Sequence, residues 1–248
     1  MDTPATVELF RDDATLHETA ATVLAVDEAG IVLDRTVCYP LGGGQAGDSG
    51  VLVLPDGRTI AIADTRKHPT RAGAIAHVPA PGADLAGLGP GTPVTVRIDA
   101  GRRLAHMRFH TATHLLCALV PHPVDGCSIT AGYARLDFHT AEPLDKAALS
   151  DGLARLVAEA RSVRHRWIDE AELDANPGLV RSMRVQPPRG TGRLRVIEID
   201  GVDLQPCGGT HVATSAEVGA VVVTKVEKKS AMTRRVVLGF AEPGAGPG

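Results

Sequence analysis

Aromatic side chains are scarce, with one Trp, two Tyr and four Phe in 248 residues. A protein that grips single-stranded nucleic acid by base stacking needs more of them, so a nucleic-acid partner would be met through duplex shape and backbone contacts. No stretch approaches about 20 uninterrupted apolar residues, which excludes a helical membrane span. The opening MDTPATVELF has no basic region ahead of an apolar core, and no secretory leader is expected. The four cysteines (Cys38, Cys117, Cys127, Cys207) are irregularly spaced and form no disulfide framework. Reduced thiols in a cytoplasmic protein are expected. Also missing is a Gly-rich loop ending in Gly-Lys-Ser/Thr, the signature of an ATP phosphate cradle.

What is present is the mix of a globular protein, 44% hydrophobic and 22% charged. The length suits one large domain or two smaller ones. The net charge of −3 divides unevenly. Residues 1–100 hold 7 Lys/Arg against 13 Asp/Glu, whereas residues 101–248 hold 19 against 16 and 7 of the 10 histidines. A mildly basic second half is compatible with an anionic partner without identifying one.

The first hundred residues read as strands and turns. TVLAVDEAGIVLDRT is two apolar runs split at Asp27–Gly30, and VLVLPDGRTIAIADT repeats the pattern around Pro55-Asp56-Gly57. PVTVRID alternates Val94, Val96 and Ile98. Short strands with Gly/Pro turns and no helical period predict a small β-barrel over 1–100, with the Pro/Gly-rich VPAPGADLAGLGPGTP as a loop. From Gly101 the pattern changes. RRLAHMRFHTATHLLCALV lacks Gly and Pro and sets Leu104, Leu115, Leu116 and Leu119 at helical spacing. DKAALSDGLARLVAEARSVRHRW predicts a second helix, with Leu149, Leu153, Leu156, Val157, Ala160 and Val163 on one face. GCSITAGYARLDFHT, RLRVIEIDGVDL and GAVVVTKVEKKSAMTRRVVLGF read as strands. The expected class is α+β: a barrel, then over 101–240 helices on an antiparallel sheet, then a disordered tail at 241–248.

Two short motifs carry chemistry. In FHTATHLL, His110 and His114 are four apart, so on a helix both imidazoles stand on one face. In LQPCGGTHVAT, two glycines forbid a helix and let the backbone fold so that Cys207 and His211 converge. Together the pairs make a His₃Cys set, and nitrogen with thiolate suits Zn²⁺ best, usually as a tetrahedron. Spacing alone leaves rivals open. His106 and Cys117 share the helix face of His110 and His114, and either could enter the set; otherwise Cys117 is a small buried apolar residue and His106 packs.

These motifs resemble the editing domain of alanyl-tRNA synthetases, its free-standing AlaX-type relatives, and the homologous domain of threonyl-tRNA synthetases. DRTVCYPLGGGQAGDSG is similar to the glycine motif of the longer AlaX proteins, and ARLDF and KVEKKSAMTRRV also fit, so the likeness covers most of 34–240. Departures are Cys38 where relatives more often have an aromatic residue, Thr130 where many carry glutamine, and His139 one place early. The resemblance implies an α+β zinc-binding editing domain without the ATP-using domain of a synthetase. It implies hydrolysis of the ester joining serine or glycine to tRNA(Ala), with the acceptor stem as partner and neither membrane nor DNA involved. It makes Zn²⁺ the cofactor, with His110, His114, Cys207 and His211 as ligands and Gln45 and Thr111 as catalytic candidates. Gly42, Gly43 and Gly44 would line the site. Arg103, Lys225, Lys228, Lys229 and Arg234 are candidate tRNA contacts, as are Arg102, Arg108 and Arg235. The alternative is a non-catalytic, zinc-stabilised module that binds tRNA or a synthetase. A monomer is the simpler expectation.

Overall fold

The structure, a computed structural model, describes residues 4–183, 190 and 192–241. The expected disorder of 241–248 therefore falls, Ala241 apart, outside the described residues. The chain divides into two compact units. The first runs to Gly42 and resumes over Ala46–Leu104; the second takes Gly43–Gln45 and everything from Ala105.

In the first unit β1 (Val7–Glu8) pairs in parallel with β4 (Arg35–Thr36). β2 (Glu18–Asp27), β3 (Gly30–Leu33), β5 (Gly50–Val53), β6 (Thr59–Lys67), β7 (Ile75–Pro79) and β8 (Pro93–Ile98) close into a barrel in the order β2-β3-β7-β6-β5-β8. Period-two alternation drives closure. Val23, Ile31, Leu33, Leu52, Ile60, Ile62, Val94, Val96 and Ile98 form one interior cluster, and each of the six strands is paired on both sides. The β2–β3 turn needs glycine: at Gly30, φ is +135° and a Cβ would stand 2.5 Å from the His77 carbonyl oxygen.

The second unit continues from α1 (Ala100–Leu119), whose first turn belongs to the barrel unit, through β9 (Val124–Ile129), β10 (Ala134–His139) and α2 (Lys146–Ala158). It goes on with β11 (Val163–Asp169), α3 (Glu170–Ala175), β12 (Arg193–Ile199), β13 (Asp203–Pro206), β14 (Val221–Ser230) and β15 (Thr233–Phe240). These strands form two antiparallel sheets, β14-β15-β10-β9 and β11-β12-β13. α2 starts where Asp145 accepts a hydrogen bond from the Ala148 N–H at 2.8 Å, an N-cap, and packs on β14 through Leu149, Leu153 and Leu156.

Two expectations are corrected. The second helix stops at Ala158 and does not reach Trp167; Ala160 turns left-handed (φ +50°) and Val163–Asp169 is a strand paired with β12. Val163, Trp167 and Ile168 are β-favouring, and cross-strand pairing outweighs the helical spacing of Ala160 and Val163. Leu104 is 47% exposed, so the buried face of α1 is carried by Met107, Phe109, Ala112, Leu115 and Leu116. Among the described residues, no helix is long and apolar enough to cross a membrane.

Candidate metal centre

Along α1 the four-residue spacing stacks His110 over His114, ring centroids 5.5 Å apart, both almost fully buried. The second pair arrives from the end of β13. There the Cys207 N–H donates to the Arg195 carbonyl at 3.1 Å. Buried Arg195 then staples the turn, its Nη1 donating to the carbonyls of Cys207 at 2.9 Å and Gly209 at 3.0 Å. Gly209 has to be glycine, since a Cβ would stand 2.1 Å from His110 Cε1 and 2.4 Å from Nδ1. This close approach brings His211 to 4.3 Å from the His110 ring and 4.8 Å from the His114 ring, centroid to centroid.

The donor atoms of His110, His114, Cys207 and His211 all lie within 4.8 Å of one another. Cys207 Sγ is 3.4 Å from His110 Nε2 and 3.3 Å from His211 Nε2. Metal bonds of about 2.0–2.3 Å at tetrahedral angles require separations of roughly 3.3–3.8 Å. Both sulfur–nitrogen distances meet this, and with all donors within 4.8 Å the set could hold a metal ion after a small contraction. His106 and Cys117 stand outside it, although both are buried.

Each of the three rings is held at Nδ1 by a different acceptor. His110 Nδ1 lies 2.7 Å from Gln45 Oε1, His211 Nδ1 3.1 Å from Thr111 Oγ1, and His114 Nδ1 2.8 Å from Asp203 Oδ2. A proton fixed at Nδ1 leaves the Nε2 lone pair free for an ion. Gln45 is fully buried and spends both ends of its amide: Oε1 also accepts from the Thr210 N–H (3.2 Å), and Nε2 donates to Thr210 Oγ1 (2.9 Å). Its loop is tied down by the Ile129 N–H donating to the Gly44 carbonyl at 2.7 Å. Gly44 has φ +86°, and a Cβ there would meet Cys127 Sγ at 2.8 Å.

Charge is arranged to match. Burial works against a thiolate at Cys207, but the rings of His110 and His211 overcome it and hold the thiol well below its usual range. Burial pushes the other three thiols, Cys38, Cys117 and Cys127, up to about 12. Cys117 is thus a buried neutral thiol. Burial also disfavours charge on His114, yet hydrogen bonds to Asp203 and Cys207 push that ring up to about 10. Burial and His110 hold His211 well below the ordinary histidine value.

The other expected site residues separate by exposure. Gln45 and Thr111 meet the cluster through ring nitrogens, behind the donors. Gly43 and Gly44 belong to the second unit, whereas Gly42 belongs to the first, its carbonyl accepting from the Tyr39 hydroxyl at 2.8 Å. Arg103 is a correction. It is completely buried, donating to Asp48 and to the Ala14 and Val37 carbonyls, and has no surface for a phosphate. Arg234 is a second correction, being buried with its Nη1 on the Ser230 carbonyl (3.0 Å) and its Nη2 on that of Ala141. Arg108 stacks on Phe240 and donates to the Val218 carbonyl at 2.8 Å, and Arg235 clamps Asp137. Lys225, Lys228 and Lys229 are exposed on β14. Thr130 caps the β9–β10 turn, its Oγ1 donating to the Tyr133 carbonyl at 3.0 Å. Asp203 and Arg195 were not anticipated. The signal for Asp203 was the alternation in DLQPC, which puts positions 203, 205 and 207 on one side of a strand.

Residues 194–237 match the family described as the threonyl and alanyl tRNA synthetase second additional domain. The chain is 32% identical, over 97% of its length, to the alanine–tRNA ligase of Pyrococcus furiosus, of which it spans only 26%. It is 30% identical to the alanyl-tRNA editing protein AlaX-M of Methanosarcina mazei, matching 97% of this chain and 99% of that one. With AlaX-M of Saccharolobus solfataricus it shares 31% identity over 93% of this chain and 97% of that one. The chain belongs to the AlaX-M family of alanyl-tRNA editing proteins.

Proposed function

We propose that this chain hydrolyses the ester of tRNA(Ala) wrongly charged with serine or glycine, at a zinc ion held by His110, His114, Cys207 and His211. One observation carries the metal reading: three imidazoles, each fixed at Nδ1, direct their Nε2 atoms to the place where a thiolate points. The names of the relatives supply the substrate class. Chemical logic supports it too, because an activating pocket built for alanine cannot strongly reject smaller glycine or a side chain that merely adds a hydroxyl.

When bound, zinc would supply Lewis acidity to a carbonyl oxygen or to an attacking water. The chain's own residues do the rest. Gln45 and Thr111 are positioning residues in this reading, holding His110 and His211 in one tautomer and rotation. Gln45 also secures Thr210, and through it the Cys207–His211 turn. Of the lysines and arginines named as candidate tRNA contacts, Lys225, Lys228 and Lys229 are exposed and could meet acceptor-stem phosphates.

Four protein donors in a tetrahedron are also what structural zinc sites use, which favours the non-catalytic binding module as the rival. Incubating the protein with Ser-, Gly- and Ala-tRNA(Ala), with and without a strong chelator, separates them. Release of serine or glycine that the chelator abolishes, with Ala-tRNA(Ala) spared, is the expected result. No release in either condition would establish the module.

A further inference from the structure

The three acceptors behind the rings differ in kind: a neutral amide oxygen from Gln45, a hydroxyl from Thr111 and a carboxylate from Asp203. Only the carboxylate carries a full charge, and at comparable length a charge-assisted hydrogen bond is roughly twice as strong as a neutral one. A hydroxyl turns freely between donor and acceptor roles, and Thr111 Oγ1 is shared with the Val212 N–H at 3.3 Å. Asp203 is instead locked. It is buried, and Gln205 Nε2 reaches both of its oxygens at 2.9 Å. Since β13 alternates, the same strand that ends at the thiolate ligand also delivers this carboxylate.

We propose that Asp203 is a positioning residue that makes His114 the anchoring donor of the metal centre. It touches no metal and no substrate. It fixes the His114 ring and lends it electron density through Nδ1, so His114 is the donor the ion keeps, while His211, held only by a hydroxyl, is the more exchangeable one. The inference rests on reading the cluster as a metal centre.

The test is zinc affinity by chelator competition in Asp203→Asn, Thr111→Val and His114→Ala, with folding followed by circular dichroism. Asp203→Asn, which keeps size and one acceptor but loses the charge, is expected to weaken zinc binding by ~10–100-fold, and Thr111→Val by less. Asp203→Glu should recover part of the loss. With cobalt in place of zinc, the ligand-field bands should shift in Asp203→Asn, while the thiolate-to-cobalt band persists because Cys207 still binds. A purely structural role would weaken both bands together. If His114→Ala weakens zinc binding and Asp203→Asn leaves it unchanged, the Asp203 inference fails and the metal centre stands. If His114→Ala itself binds zinc like the parent, the metal reading fails first. Should Asp203→Asn and Asp203→Glu both be unfolded, Asp203 is a folding residue and the inference is overturned.

Discussion

In the barrel unit, Arg103 is buried completely beside Asp48, and every guanidinium nitrogen has an acceptor: Nε on Asp48, Nη1 on the Ala14 carbonyl, Nη2 on Asp48 and the Val37 carbonyl. The carboxylate in turn accepts from the Tyr39 N–H at 2.6 Å. In the second unit, His110, His114 and His211 are buried and Cys207 is half-buried, and the three rings are satisfied on their outer side. Their Nδ1 atoms have partners in Gln45, Asp203 and Thr111; their Nε2 atoms and the sulfur face one another. Both clusters concentrate polarity where burial is unfavourable. The first closes on itself and holds structure; the second leaves one converging set of lone pairs over, and that surplus marks a binding centre.

The largest effect should come from breaking the closed cluster. Asp48→Ala strands a buried guanidinium and should lower stability by about 3–5 kcal/mol in urea unfolding. Zinc stoichiometry of the folded protein should not change; a loss of zinc would mean the two clusters are not independent. Breaking the open cluster should do the reverse. Cys207→Ala is expected to lose zinc affinity and deacylation by more than about a hundredfold while the barrel stays folded, since a first ligand matters more than an outer partner. Full zinc content in that variant would overturn the assignment. Gly209→Ala places a methyl against the His110 ring and should weaken zinc by roughly tenfold or more, as misorienting a ligand does.

A smaller effect is protonic. Hydrogen bonds to Asp203 and Cys207 push His114 up to about 10 despite its burial, whereas the neighbouring rings hold the Cys207 thiol well below its usual range. Zinc must displace the imidazole proton, so uptake should release about one proton and affinity should rise with pH up to that value. Calorimetry in buffers of different ionisation enthalpy counts the protons; none released would contradict the charge arrangement. Smallest of all, Lys228→Ala or Lys229→Ala should each reduce the salt slope of tRNA binding by about 1 and leave turnover at saturation intact.

Much of this was legible in the sequence, for identifiable reasons. The barrel is written in two-residue alternation punctuated by Asp/Gly and Pro-Asp-Gly turns. The four donors are written in two local spacings, one helical and one around Gly-Gly. What stayed hidden depends on tertiary approach. The Gln45–His110 and Asp203–His114 contacts join residues 65 and 89 positions apart. Arg103 looked like a phosphate contact because arginines are normally exposed, and nothing local announces that Asp48 will be buried with it. The second helix ran too far on paper because Ala160 and Val163 continue its apolar spacing, while only pairing with β12 makes Val163–Asp169 a strand.

One consequence follows from the three residues Gly43–Gln45, which group with the second unit although barrel sequence flanks them on both sides. A scission at the obvious seam near residue 100 would not liberate an autonomous catalyst. The C-terminal product, the longer of the two, would start without the amide that steadies His110, and its metal affinity would have to be restored by supplying that missing tripeptide from outside.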